Sequence, residues 1–129
     1  MRVVFDTNIF VSAFAIPGSQ AEKAILKIIA GEDVLLLSKE ILDELLSVLS
    51  IKFSRDREEI SRVALFLSEI VEWVETTGKI RVLKDEPDNR ILECAASGKA
   101  DIIVTGDKAM LNVGIYNDTK IIGLKAYVG

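Results

Sequence analysis

Val3-Val4-Phe5-Asp6-Thr7-Asn8 near the start of the chain and Ile102-Ile103-Val104-Thr105-Gly106-Asp107 near its end share one design: a short apolar run that leads into an aspartate. Runs of this kind, rich in β-branched and aromatic residues and lacking polar alternation, suit strands covered on both faces. In open parallel α/β sheets, ligands sit outside the carboxyl ends of the strands, at the point where strand order reverses. Adjacent placement of these two strands would therefore deliver Asp6 and Asp107 to one edge. Carboxylates crowded there repel one another unless a cation joins them.

The chain between these runs alternates strand and helix. Thr7 to Ala15 reads as a helix stopped by Pro17-Gly18, and a second helix carries Ala21, Ala24, Ile25, Ile28 and Ile29 on one face before Gly31. Val34 to Leu37 is the next strand, and Ser38 is the natural N-cap of a helix that buries Ile41, Leu42, Leu45, Leu46 and Leu49. From Asp56 to Val74, apolar residues at i, i+3, i+4 and i+7 predict one long helix. Ile80 to Leu83 follows as a third strand, then a helix opened by Pro87 and closed by Gly98. Ile102 to Val104 is the fourth strand; a short helix from Lys108 to Leu111 and a last strand near Lys120 to Ile122 finish the order. This alternation implies a parallel sheet with helices on both faces.

At 129 residues, without internal repeat or Pro/Gly/Ser-rich linker, the expectation is a single domain over residues 1–129. Half the residues are apolar and the mean hydropathy is +0.32, which predicts some apolar surface given to a partner. No apolar stretch approaches a membrane span, and Asp6 interrupts any early hydrophobic segment, so an intracellular, cytoplasmic protein is expected.

With no histidine and one cysteine, the chain lacks the means for an internal disulfide, a Cys/His zinc site or a histidine base. Cys94, in an apolar helical segment, reads as core. What remains is chemistry that acids and a hard cation perform, and Mg²⁺ and Mn²⁺ suit oxygen ligands. A net charge of −4 argues against bulk electrostatic attraction to nucleic acid but leaves room for a local basic patch.

Two further acids could join Asp6 and Asp107. In the helix after Ser38, Glu44 lies nearest the apolar stripe, between Ile41 and Val48, while Glu40 and Asp43 point further into solvent. Taken alone, Glu44 reads more readily as a partly exposed helix residue than as a ligand. In Asp85-Glu86-Pro87-Asp88-Asn89 the first two acids are explained by helix capping and the helix dipole. Asp88, just inside the start set by Pro87, has a geometry suited to a metal as well. Asn8 and Thr105 could hydrogen-bond and orient carboxylates, or be ordinary helix-start and strand-end residues.

These segments together resemble the PIN-domain family, in particular the prokaryotic VapC-like toxins of toxin–antitoxin pairs. The resemblance rests on Asp6-Thr7-Asn8, Ser38 through Leu45, Pro87 through Leu92, and Ala100 through Lys108, and spans Arg2 to about Ile122. It implies a three-layer α/β/α Rossmann-like sandwich with a central, mostly parallel sheet and a ribonuclease site holding one or two Mg²⁺ or Mn²⁺ ions. The family's acidic quartet falls on Asp6, Glu44, Asp88 and Asp107, and its polar helpers on Asn8 and Thr105. Related sequences often carry another acid two residues after the last aspartate, where this chain has Ala109. The resemblance also implies an RNA substrate, a homodimer and an antitoxin protein as partner.

Lys52, Arg55 and Arg57 cluster where two helices join and, with Lys108, offer contacts to RNA phosphates; the first three read more readily as a solvated helix start. A haloacid-dehalogenase-type phosphatase would need a second acid where Asn8 stands and another where Leu111 stands. A response-regulator receiver would need a phospho-accepting aspartate after its third strand and paired acids near the first. The remaining alternative is a catalytically weak PIN-like module that binds RNA or protein.

Overall fold

The computed structural model describes residues 1–129. Four of the anticipated strands form at or within a residue of their expected bounds: β1 (Arg2–Phe5), β2 (Val34–Leu37), β4 (Ile102–Val104) and β6 (Thr119–Ile122). Their apolar residues are almost all buried, as strands covered on both faces require. With β3 (Val71–Trp73) and β5 (Ile115–Tyr116) they form a six-stranded sheet in the order β3-β2-β1-β4-β6-β5. All pairs are parallel except β5 with β6.

Helices α1 (Thr7–Ala15), α2 (Gln20–Ile29), α3 (Lys39–Lys52) and α4 (Arg57–Ile70) lie in the chain segments that build the sheet outward from β1 to β3. α5 (Glu86–Gly98) then carries the chain back across to β4 and packs on β1, β2 and β4. Short helices α6 (Lys108–Val113) and α7 (Leu124–Val128) complete the chain. Right-handed crossovers that run in opposite directions put their helices on opposite faces of the sheet, which makes the three-layer α/β/α architecture. Strand order reverses between β1 and β4, so the switch point lies where Asp6 and Thr105 leave the sheet. No helix is long and apolar enough to cross a membrane.

The local signals for helix ends work as read in most places. Ser38 accepts the Ile41 N–H at 3.3 Å, and Asp56 accepts the Glu59 N–H at 2.9 Å. Gly31 adopts φ +81°, a left-handed turn that favours glycine.

Three expectations are corrected. The helix expected to reach Val74 ends at Ile70, and Val71 to Trp73 becomes β3, pairing in parallel with Leu35 to Leu37. The apolar side chains that continue the helical stripe thus pack equally well as a sheet edge. Ile80 to Leu83, expected as the third strand, belongs to an irregular strap from Val74 to Asp85. The strap's amides are taken by α5 side chains: Glu93 accepts from Gly78, Lys79 and Ile80, and Asn89 accepts from Val82 and Leu83. With its donors satisfied this way, the strap has no call for a sheet partner. Finally, Gly98 is the last helical residue and Lys99, at φ 54°, takes the left-handed cap position. Glycine at 98 serves close packing instead, since a Cβ there would lie 2.8 Å from Leu36 Cδ1 and 2.9 Å from Val74 Cγ2.

Candidate functional site

At the switch point between β1 and β4, the N-terminal ends of α1 and α5 and one side of α3 enclose a cleft of about 410 Å³. α1 contributes Asp6 at its cap with Thr7, Asn8 and Val11; α3 contributes Glu44, Val48, Lys52 and the C-cap Phe53; the start of α5 contributes Asp85, Pro87 and Asp88. A smaller cavity of about 140 Å³ shares Thr7, Glu44 and Pro87 with it and adds Glu40, Ile41, Glu86 and Arg90.

Asp6 is buried, with Oδ2 accepting the Thr105 hydroxyl at 2.6 Å and Oδ1 accepting the Asn8 N–H at 3.3 Å. Burial raises its pKa and outweighs these two hydrogen bonds, with smaller upward contributions from Asp107 and Asp85. Asp88, only 8% exposed, is pushed up to about 7, first by burial and then by repulsion from Asp107, Asp85 and Asp6. Asp107 lies outside the cleft lining, where its carboxylate caps α6 by accepting the Met110 N–H at 3.0 Å. Glu44 is half-buried and lines both cavities.

Asp6, Glu44 and Asp88 therefore share one cleft, and Asp107 acts on Asp6 and Asp88 through its charge. Thr105 touches Asp6 through its side chain, whereas Asn8 touches it through its backbone N–H. Of the basic residues, Lys52 lines the cleft. Arg55 pairs with Glu59 at 3.3 Å, and Arg57 and Lys108 are exposed outside the cleft wall.

The capping explanation of Asp85 fails here. It occupies the N-cap of α5 but makes no side-chain capping bond. Pro87 in the first turn has no N–H to give, and the Asp85 side chain lines the cleft as an additional acid. Glu40 is half-buried, not solvent-directed, and accepts the Thr76 hydroxyl at 2.9 Å. Glu93 also went unread. It is 2% exposed, and although burial favours its neutral form, the strap amides of Gly78, Ile80 and Lys79 hold it below the usual carboxylate range. A helical glutamate on an apolar face was its only sequence signal. Cys94 is buried, its thiol pushed up to about 12 by burial, as a core residue should be.

The donor set is made of hard oxygens, the chemistry that Mg²⁺ and Mn²⁺ take. The mutual repulsion of Asp6, Asp85, Asp88 and Asp107 is relieved by any cation that enters. The acids stand around the cleft without being drawn into a coordination shell: no three acidic or cysteine side chains are arranged to hold an ion.

The sequence profile of the PIN domain matches residues 2–109. The chain belongs to the PIN domain family. A relative among curated proteins, an uncharacterized protein of Methanocaldococcus jannaschii, is 30% identical over 117 residues, 88% of this chain and 75% of that one. The fold is also that of a chain in the crystal structure of VapBC2 from Rickettsia felis bound to a DNA fragment from their promoter. That match has a TM-score of 0.70 and 18% identity, and covers 95% of this chain and 98% of the other. The residues matched by the PIN-domain profile include the strands and helices that build the cleft.

Proposed function

We propose that this PIN domain is a divalent-metal-dependent endoribonuclease. The observation that carries the reading is the set of acids brought to one switch-point cleft, Asp6, Glu44, Asp85 and Asp88, with Asp107 near enough to raise the pKa of two of them. Asp6, Glu44, Asp88 and Asp107 would hold one or two Mg²⁺ or Mn²⁺ ions, with Asp85 close by. Bound ions of this kind supply Lewis acidity toward a phosphodiester and make water a competent nucleophile without a histidine.

The chain's own residues prepare that chemistry. Thr105 fixes one oxygen of Asp6 through its hydroxyl. The Asn8 N–H steadies the other oxygen from the first turn of α1. Asp88, pushed up to about 7, is only partly ionised near neutral pH in the absence of a cation, and positive charge entering the cleft favours its carboxylate form. Asn8 and Thr105 thus act as orienting groups; Lys52 in the cleft lining and Lys108 outside it are the basic groups offered to RNA phosphates.

The likeness to VapBC2 supports reading this chain as the toxin of a toxin–antitoxin pair, working in the cytoplasm as a homodimer restrained by an antitoxin. Exposed Leu26 and Ile29 on α2 and Leu65 on α4 offer the apolar surface such contacts need. The test is cleavage of RNA by purified protein with Mg²⁺ or Mn²⁺, beside the Asp6→Asn variant and an EDTA control. Metal-dependent cleavage lost in the variant supports the reading; cleavage that survives the substitution overturns it. The open spacing of the acids favours one second reading, a module that binds RNA or protein without turnover, and RNA binding without cleavage in either ion would select it.

A further inference from the structure

The cleft extends past its acids. From Glu44 the lining side of α3 runs through Val48 to Lys52, with Phe53 as the C-cap. Eight residues of helix set Lys52 about 12 Å along the axis from Glu44.

Phe53 is 42% exposed and stands outside both the hydrophobic core and the half-buried residues packed against it. Of the five phenylalanines, the other four pair with one another, Phe5 with Phe10 and Phe14 with Phe66. Phe53 alone has no ring partner. Lys52 beside it makes no ion pair. A single exposed phenylalanine is ordinary on a protein surface. One that walls a cleft next to a free ammonium presents a flat apolar face and a positive charge together, the pairing with which proteins hold single-stranded nucleic acid.

We propose that the Lys52–Phe53 end of the cleft is a nucleotide subsite, in which an unpaired base of the RNA strand stacks on Phe53 and a flanking phosphate meets Lys52. The proposal rests on the ribonuclease reading and adds the side chains that would grip the strand beside the acids. A base held in an A-form duplex is stacked on its neighbours and cannot turn its face to a side chain. An apolar protein helix is a poorer occupant, because Val11, Val48 and Phe53 are isolated apolar walls in a lining otherwise rich in acids.

Binding is measured by anisotropy of a fluorescein-labelled eight-nucleotide RNA, unpaired or annealed to its complement, on the Asp6→Asn protein in Mg²⁺. The unpaired strand should bind more tightly than the duplex. Phe53→Ala should weaken it about tenfold, with only a small drop in melting temperature because the ring lies outside the core. Lys52→Gln should weaken it and lower the salt slope by about 0.7. Phe53→Trp in a Trp73→Phe background gives the chain one tryptophan, at the cleft; it should retain binding and lose emission as RNA stacks on it. Equal binding by Phe53→Ala and its parent, or a preference for duplex, overturns the subsite. So does a Phe53→Ala protein whose oligomeric state changes while its RNA affinity does not, which would assign the face to a protein contact. Phe53-dependent binding without cleavage by the wild type would leave the subsite standing and remove the ribonuclease reading; cleavage with Phe53-independent binding would do the reverse.

Discussion

Thr105 donates its hydroxyl to Asp6 Oδ2 at 2.6 Å across 99 positions of sequence, and Thr105 Oγ1 in turn accepts the Asp107 N–H at 3.0 Å. One buried side chain therefore ties together the two aspartates that leave neighbouring strands. The register of β1 on β4, with Phe5 opposite Val104, sets this up. The hydroxyl also favours the ionised form of Asp6 against the burial that opposes it.

Replacing Thr105 with Val keeps the shape and removes both bonds. Metal-dependent cleavage should fall about 10- to 100-fold, the usual effect of losing a group that orients a metal-binding carboxylate, with stability lower by about 1–3 kcal/mol. Thr105→Ser should restore most of the activity. Steady-state kinetics and urea melts of the three proteins check this, and a fully active Thr105→Val would refute the orienting role.

Asp88 gives the metal-free fold a definite pH dependence. Its folded pKa of about 7 lies above the ordinary 3.8, so the folded state binds the extra proton. That contribution is fully present below about pH 4 and is lost as pH rises through 7. In EDTA the melting temperature should drop between pH 5 and pH 8, by an amount corresponding to on the order of 2–4 kcal/mol. Asp88→Asn should flatten this slope and melt higher than wild type at pH 8. Mn²⁺ should raise the wild-type melting temperature at pH 8 and leave Asp88→Asn less affected. Parallel pH profiles for the two proteins would show that Asp88 is not the group responsible.

Glu93 should matter to stability more than a helix carboxylate ordinarily does. Its oxygens hold the amides of Gly78, Lys79 and Ile80 and lie 3.5 Å from Arg90 Nη1. Glu93→Gln turns an acceptor toward those donors into a partial donor and should cost about 2–4 kcal/mol. Because its folded pKa is depressed, the stability that Glu93 adds is present above its unfolded value and is lost as pH falls through the folded one. Hydrogen exchange should localise the loss to amides 78–80. Unchanged protection there would mean that the strap is held by Asn89 and Arg90 alone.

The two residues that end α5 should respond in opposite senses. Gly98→Ala gains helix propensity worth about 1 kcal/mol, yet its Cβ would meet Leu36 Cδ1 at 2.8 Å, and overpacking of this kind costs about 1–3 kcal/mol. The net effect should be destabilising. Lys99→Gly relieves a left-handed φ of 54° and should be neutral or stabilising by up to about 1 kcal/mol. Thermal melts of both variants decide the matter; a stabilised Gly98→Ala would show that Leu36 and Val74 yield freely.

The amino-acid order was enough to locate β1, β2, β4 and β6, the start of α3 at Ser38 and the parallel character of the sheet. Each depends on a local signal, an apolar run or a cap, that is read within a few residues. It also singled out Asp6 and Asp107, because an acid one to three residues after a buried strand stands out against its neighbours. Two segments escaped for an equally physical reason. Val71 to Trp73 continues a helical stripe but pairs as an edge strand, since the same side chains satisfy both periods over so short a span. Ile80 to Leu83 has strand composition but gives its amides to Glu93 and Asn89.

Only the tertiary structure decided which groups meet. The adjacency of β1 and β4, the turning of Asp85 into the cleft instead of onto its own helix, and the placing of Lys52 and Phe53 in one cleft with Asp6 and Asp88 all join segments far apart in the chain. Local sequence settles what each segment can be, because propensity and capping act over a turn or two. Which acids share a cleft, and whether an aromatic at a helix end faces solvent or a substrate, is set by strand order and helix packing, to which each local choice is blind.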